Sequence, residues 1–435
     1  MKKTPQTILI IGNGIAGITL AIQLRKRSNL PIIVVSDEHP YFFSRTALMY
    51  VYMGHMKWEH LQPYEPSFWD DNKITLIHER VTGLNSSKKE IILATDQRLS
   101  YRSLVLATGS KPNRLDLPGI NTLGVQGLYH KKDLEQLERL TPSIQSAVVV
   151  GGGLIGVELA EMLHSRGIEV HFLIRENAFW NTVLPKEEAQ MIGAHIEAHG
   201  VKLYRNTELK AIETNAENRV RSVITHNEER LPCQFVGLTI GVHPNIDCFR
   251  NSSLETDRGI LVDEQLTTNL PDVYAIGDCA QLRNPPTGRK ATEAVWYSGR
   301  MMGETLAETL SGNPQTYTPG PWFNSAKFFD IEYQTYGLVG PQETDIEAHW
   351  YWQHPEQNCC FRVAYNKANR QFLGVHSLGI RLRHKIFHQW LLNKTSVDQV
   401  MEALTQAHFD AEFSTIHLKT IQTAFFKNRL QTTKK

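Results

Sequence analysis

The sequence predicts an α/β protein in which two doubly wound parallel-sheet units, the second inserted into the first, precede a C-terminal α+β domain. Three observations carry that prediction. A short apolar strand, a glycine turn and a helical stretch follow one another near the N-terminus, and the same order recurs at residues 147–160. Further strands, ending in Thr108-Gly109 and in Gly277-Asp278, lie before and after the second copy.

In the first copy, "TILII" (residues 7–11) is a β-rich apolar strand and "AGITLAIQLRKR" a helical stretch. Between them, Gly12 allows a tight turn and Gly14 lets backbone approach a phosphate. Gly17 lets helix and strand pack closely, with Ile15 and Ala16 completing the phosphate loop. The helix N-terminus attracts negative charge. A second strand, "PIIVVSDE", ends on Asp37 and Glu38, about 20 residues beyond the glycines, where a carboxylate accepts ribose hydroxyls; Asp37 is the first choice. A glycine-rich turn alone would explain the spacing, but not the strand, helix and acid together.

The second copy, "AVVVGGGLIGVELA", supplies Gly151, Gly153 and Gly156, with Leu154 and Ile155 between the last two. Two such units imply two dinucleotides, and therefore two Rossmann-like domains. "YRSLVLATGSKP" runs into Thr108-Gly109, and "NLPDVYAIGDCA" into Gly277-Asp278. An acid at a strand's carboxyl end is well placed to hold a ribityl or ribose hydroxyl.

Composition narrows the classes further. A chain of 435 residues has room for two or three domains, and 41% hydrophobic and 21% charged residues with a net charge of +1 describe a globular protein without a basic face for nucleic acid. Five cysteines are too few and too scattered for a disulfide framework or paired zinc-binding CxxC motifs, so no metal is expected and the compartment reads as reducing and cytoplasmic. The N-terminal "MKKTPQTILIIGNGIAGITLA" has the lysines and apolar run of a secretory signal, but glycines at functional spacing break the run. No apolar run approaches the ~20 residues of a membrane span.

The combined motifs, spanning residues 8 to about 380, resemble the pyridine nucleotide-disulfide oxidoreductase family of FAD-dependent, NAD(P)H-oxidising flavoproteins. The most similar branch lacks redox cysteines and includes ferredoxin and rubredoxin reductases, monodehydroascorbate reductase, apoptosis-inducing factor and the flavin portion of the large nitrite reductase subunit. The resemblance implies an FAD domain at residues 1–117 and 247–318, an NAD(P)H domain at 118–246 and a C-terminal interface domain at 319–435. It implies that Gly12, Gly14, Ile15, Ala16, Gly17, Asp37, Glu38, Thr108, Gly109, Gly277 and Asp278 bind FAD, and that Gly151, Gly153, Leu154, Ile155, Gly156 and Arg175 bind NAD(P)H. Glu158 and Arg45 match family residues near the flavin ring, where the pair would favour negative charge on the reduced ring. Without the resemblance, Glu158 reads as a helix-surface carboxylate and Arg45 as a loop arginine. Trp296 and Tyr297 either border the flavin or are ordinary core aromatics.

The resemblance fixes the coenzyme class but neither its 2′ group nor the electron acceptor. At the end of the second strand of the NAD(P)H domain, NADH-using relatives carry a glutamate where this chain has Ile174. Arg175 suits a 2′-phosphate while the adjacent Glu176 repels one, and the balance leans to NADPH. The stretch "HPYFFSRTALMY" (39–50) occupies the place of the family's redox cysteines and contains none. Cys279 and the vicinal Cys359 and Cys360 read as packing, so electrons would leave the flavin directly for rubredoxin, a ferredoxin-like protein, a quinone or a small molecule. Phe323-Asn324-Ser325 stands where ferredoxin-type relatives often show "FWS", which removes a tryptophan from the electron route.

Residues 413–435 hold five Lys or Arg and no Asp or Glu, with Leu418, Ile421, Phe425 and Phe426 on one helical face. Such a stripe is usually core or subunit contact, which leaves a homodimer open. On a membrane surface it would instead make the protein a quinone reductase. A third reading is a redox-controlled flavoprotein acting through partner binding.

Overall fold

The computed structural model describes residues 6–409 and 417–432. Its contacts group into two compact units. The first takes the chain up to Arg114, Gly127–Pro142 and Gly241–Pro319; the second takes Leu115–Gln126, Ser143–Ile240 and the chain from Gly320 onward.

The first unit is built on a five-stranded parallel sheet, ordered Val273–Ala275, Ser103–Leu106, Ile8–Ile11, Ile32–Ser36, Ile74–His78. Every residue of Ile8–Ile11 and of Ser103–Leu106 is buried. Both faces are therefore covered, which is why these strands read as continuous apolar runs without alternation. On one face the helix Ile15–Arg25 meets the helix Trp296–Leu310. They approach closely at Gly303, where a Cβ would lie 2.6 Å from the Ala16 carbonyl oxygen. The segment Gly127–Pro142 joins this unit through the Tyr52 hydroxyl, 2.6 Å from that of Thr141.

The second unit carries its own five-stranded parallel sheet, ordered Lys202–Tyr204, Glu169–Leu173, Ser146–Val150, Phe235–Leu238, Val125–Gln126. It also holds an antiparallel sheet ordered Phe323–Phe328, Ile331–Gly337, Phe372–Leu378, Cys360–Asn366, Glu347–Gln353. Of the vicinal cysteines, Cys360 opens its fourth strand and Cys359 immediately precedes it. Both are buried, Cys359 being 4% and Cys360 0% exposed.

The C-terminal helix Leu418–Thr432 decides between the readings of its apolar stripe in favour of core. Leu418, Ile421 and Phe425 are buried in the core of the antiparallel sheet, and the Phe425 ring lies 5.2 Å from that of Trp350. Gln422 fixes the helix by donating to the Met401 and Glu402 carbonyls at 2.8 and 2.7 Å. The apolar face that a membrane-surface quinone reductase would need is thus already covered by protein. Residues 413–416 and 433–435 of the basic tail lie outside the described residues. No helix among the described residues is long and apolar enough to cross a membrane.

Candidate functional site

The first glycine turn assigns different work to each glycine. Gly12 has φ +111°, and a Cβ there would lie 2.1 Å from the Ala107 carbonyl oxygen. A Cβ on Gly17 would lie 2.1 Å from the oxygen of Gly12. These two positions accept only glycine, for reasons internal to the fold. Gly14 differs: its φ of −72° suits any residue, and a Cβ there meets no protein atom within 4 Å. It caps the helix Ile15–Arg25 without a side-chain hydrogen bond, so the first N–H groups of that helix keep their donor capacity.

Residues distant in sequence gather round this turn. Ala16 faces Gly277, where an added Cβ would come within 2.9 Å of the Ala16 Cβ. Ser110 donates its hydroxyl to Asp278 at 3.0 Å, and burial raises the Asp278 pKa above the usual carboxylate value. Thr108 donates to the Asn245 carbonyl at 2.6 Å, and Gly109, at φ +68°, lies beside Tyr129. Trp296, half-buried, opens its helix with the Arg300 guanidinium 5.7 Å from its ring centre.

The two acids after the second strand have separate surroundings. Asp37 is exposed and pairs with Arg80 at 3.5 Å. Glu38 accepts from Arg45 on both oxygens, at 3.0 and 2.5 Å, from the Lys131 backbone N–H at 3.2 Å, and faces His130 at 3.3 Å. Burial works to raise its pKa, but the hydrogen bonds from His130 and Arg45 prevail and hold it at about 2. Arg45 also donates to the Tyr129 carbonyl and stacks over the Tyr129 ring at 4.6 Å. The sequence reading did not foresee that Arg45 engages Glu38. Residues 284–290 form the expected loop, but the reading did not foresee that Arg289 forms a bidentate pair with Glu293 at 2.6 Å, the two side chains only 7% and 9% exposed.

The second turn repeats the division of labour. Gly151 has φ +115° and would place a Cβ 2.5 Å from the Thr239 carbonyl oxygen; Gly156 would place one 2.1 Å from the oxygen of Gly151. Gly153 caps the helix Leu154–Ser165 without a side-chain bond, and its Cβ position meets no protein atom within 4 Å. Glu158 lies one turn along this helix, and burial, helped by the charge of Glu161, pushes its pKa up to about 7. At the end of the second strand, Arg175 points outward with 74% of its side chain exposed and donates to Glu176 at 2.8 Å. Glu176 is 23% exposed and lies beside the turn, its Oε2 being 3.8 Å from where a Cβ on Gly152 would sit.

All five cysteines are free thiols, and burial raises the pKa of each, to about 12 for Cys233 and about 11 for Cys248 and Cys359. None is a poised thiolate.

Two glycine turns at helix starts, each with one position open to a ligand, define a protein of the two-dinucleotide class. The pyridine nucleotide-disulphide oxidoreductase family profile matches residues 6–300, and the chain belongs to that family. It is 29% identical over 335 residues to the 5,5'-dehydrodivanillate O-demethylase ferredoxin reductase subunit of Sphingobium sp., covering 76% of this chain and 81% of the relative. It is 30% identical over 345 residues to rhodocoxin reductase of Rhodococcus erythropolis, covering 78% and 80%. Among solved structures, the ferredoxin reductase for the CYP199A2 system from Rhodopseudomonas palustris superposes with a TM-score of 0.80 at 25% identity, covering 86% of this chain and 91% of that one.

Proposed function

We propose that this chain is an FAD-dependent reductase that oxidises NAD(P)H and passes the electrons, without a protein disulfide, to a small iron–sulfur redox protein of the ferredoxin or rubredoxin kind. One observation carries the reading. Both turns expose uncapped helix N–H groups beside a glycine whose Cβ position is clear of protein, Gly14 in one and Gly153 in the other, while four of the five thiols are buried, Cys248 is half-buried, and burial raises the pKa of all five. The named relatives, reductases of ferredoxin and rhodocoxin, support the choice of acceptor.

When bound, FAD supplies a ring that accepts hydride from the nicotinamide and releases electrons to the acceptor. The chain's own residues bind and orient. In this reading the domains are 1–117 with 247–318 for FAD, 118–246 for NAD(P)H and 319–435 for the interface. The N–H groups from Ile15 onward and from Leu154 onward take the two pyrophosphates. Asp37, exposed, accepts the adenosine ribose hydroxyls of FAD. Asp278, at its strand's carboxyl end beside Thr108 and Gly109, accepts a ribityl hydroxyl. Arg45, fixed by Glu38 and stacked on Tyr129, holds the flavin-side loop rather than acting as a free cation. Trp296 borders the isoalloxazine pocket.

For the coenzyme, geometry favours NADH over the NADPH suggested by the sequence. A carboxylate beside the glycine turn, as Glu176 is, accepts the 2′-hydroxyl and repels a 2′-phosphate, whereas Arg175 points away and is neutralised by Glu176. The unpaired thiols agree with a cytoplasmic location. Steady-state oxidation of NADH and NADPH by the purified yellow protein, with ferredoxin, rubredoxin, quinone and oxygen as acceptors, tests the reading. Turnover with quinone but with no iron–sulfur protein would refute it.

A further inference from the structure

On the second unit, away from its glycine turn, His195 in the last turn of the helix Lys186–Ala198 and His199, the residue that caps its C-terminal end, lie four residues apart with ring centres at 4.4 Å. Asp330 stands opposite, at the tip of the hairpin joining the strands Phe323–Phe328 and Ile331–Gly337. One donor atom from each of the three lies within 4.8 Å of the other two. His195 Nε2 is 2.5 Å and His199 Nε2 3.7 Å from the same oxygen, Asp330 Oδ1.

The tautomer of His199 is set by its surroundings. Its Nδ1 lies 2.9 Å from the backbone carbonyl oxygen of His195, which can only accept, so Nδ1 carries the proton. Nε2 of the neutral ring therefore presents a lone pair towards the Asp330 carboxylate. Two electron-rich atoms facing each other call for a cation between them, either a proton on His199 or a metal ion. The carbonyl contact is also the outer support that histidine ligands commonly have. At His195 the polarity is reversed: the Asn358 amide nitrogen donates to Nδ1 at 3.1 Å, so Nε2 carries the proton that it gives to Asp330, and an ion would take Nε2 once that proton leaves and the Asn358 amide turns its oxygen towards Nδ1–H. Phe329 backs both rings, at 6.4 and 4.6 Å between centres.

We propose that His195, His199 and Asp330 bind one divalent transition-metal ion of the zinc class. Two imidazoles and one carboxylate suit Zn²⁺, Co²⁺ or Ni²⁺ rather than Ca²⁺ or Mg²⁺, which prefer all-oxygen sites. Binding displaces the His195 Nε2 proton and needs the exposed Asp330 side chain, 75% accessible, to swing outward to admit the ion, with water completing the coordination. None of the three belongs to a dinucleotide turn, so the ion would clip helix to hairpin and take no part in electron transfer. The sequence reading, which judged metal sites by cysteine spacing, did not weigh these histidines, and their third partner is remote along the chain.

The test is calorimetric titration of the chelator-stripped, flavin-loaded full-length protein with zinc chloride, paired with thermal denaturation. One zinc per chain should bind and raise the midpoint, an ion that binds only the folded state being stabilising. Asp330→Ala and His199→Ala should each weaken binding by at least about tenfold, with flavin content and NADH oxidation unchanged. Asp330→Ala, on an exposed turn, keeps the test valid if His199→Ala folds poorly. Absence of saturable binding up to about 100 µM zinc, or equal affinity in wild type and Asp330→Ala, would overturn the site.

Discussion

The guanidinium of Arg45 grips both carboxylate oxygens of Glu38, at 3.0 and 2.5 Å, seven residues back along the chain. The pair closes the loop that follows the second strand and ties it to Tyr129 and Lys131. Removing one partner of a largely desolvated ion pair leaves the other uncompensated, so Glu38→Ala should destabilise the protein by about 1–3 kcal/mol and raise the flavin dissociation constant. Because the Glu38 pKa falls from about 4.5 in the unfolded chain to about 2 in the folded protein, its contribution is fully present at neutral pH and is lost progressively as pH falls from about 4.5 to 2. Denaturant unfolding at pH 7 and flavin release on dilution measure the two effects; an unchanged flavin affinity would separate the clamp from the cofactor.

The two kinds of glycine in the first turn should behave differently. Gly14→Val places its side chain where no protein atom lies within 4 Å, so the variant should fold and be isolated almost free of flavin. Gly12→Ala forces a Cβ against the Ala107 carbonyl at φ +111° and should fail to fold. Circular dichroism and the 450 nm flavin band distinguish the cases. A folded Gly14→Val protein with a full complement of flavin would remove the pyrophosphate from this turn.

These turns show how much was legible in sequence. Glycine spacing reports backbone constraints that act within a few residues, so both dinucleotide units and their order could be read directly. Arg45–Glu38 and Arg289–Glu293 were missed as pairs, since their meaning depends on burial. The direction of Arg175 was equally hidden, because neighbouring residues at a strand's end diverge and only the fold decides which one turns inward. Leu418, Ile421 and Phe425 were correctly placed on one helical face, but a stripe does not say what covers it.

For the coenzyme, Glu176→Ala should lower the Michaelis constant for NADPH and raise that for NADH, with a net change in discrimination on the order of 1–3 kcal/mol. Arg175→Ala should affect both coenzymes little, since its side chain is largely exposed. The reverse pattern, with Arg175→Ala selectively impairing NADPH, would restore the sequence-based preference.

Glu158 gives the folded protein a pH signature. Its pKa rises from the ordinary carboxylate range to about 7, so the folded state holds a proton that the unfolded state releases. Stability should therefore fall as pH rises from about 4.5 to 7, then level off. Glu158→Gln should abolish that slope and be more stable than wild type at pH 8, by on the order of 1–3 kcal/mol. Denaturation midpoints of the two proteins between pH 5 and 9 decide it; parallel curves would mean that Glu158 is charged throughout.

The electron path is open to the sharpest test. "HPYFFSRTALMY" has no thiol, Cys279 is buried with its sulfur 3.3 Å from the Leu106 and Ile276 carbonyl oxygens, and Cys359 and Cys360 are buried free thiols, 4% and 0% exposed. Elevated thiol pKa values leave almost no thiolate at neutral pH, and exchange proceeds through the thiolate. Anaerobic titration with NADH should therefore complete flavin reduction at about one hydride per FAD, since a redox disulfide would absorb a second. A variant with all five cysteines replaced by serine or alanine, once shown to fold and hold FAD, should keep most of its activity with an artificial acceptor. Uptake near two hydrides, or an inactive but folded cysteine-free protein, would place one of these buried sulfurs on the path.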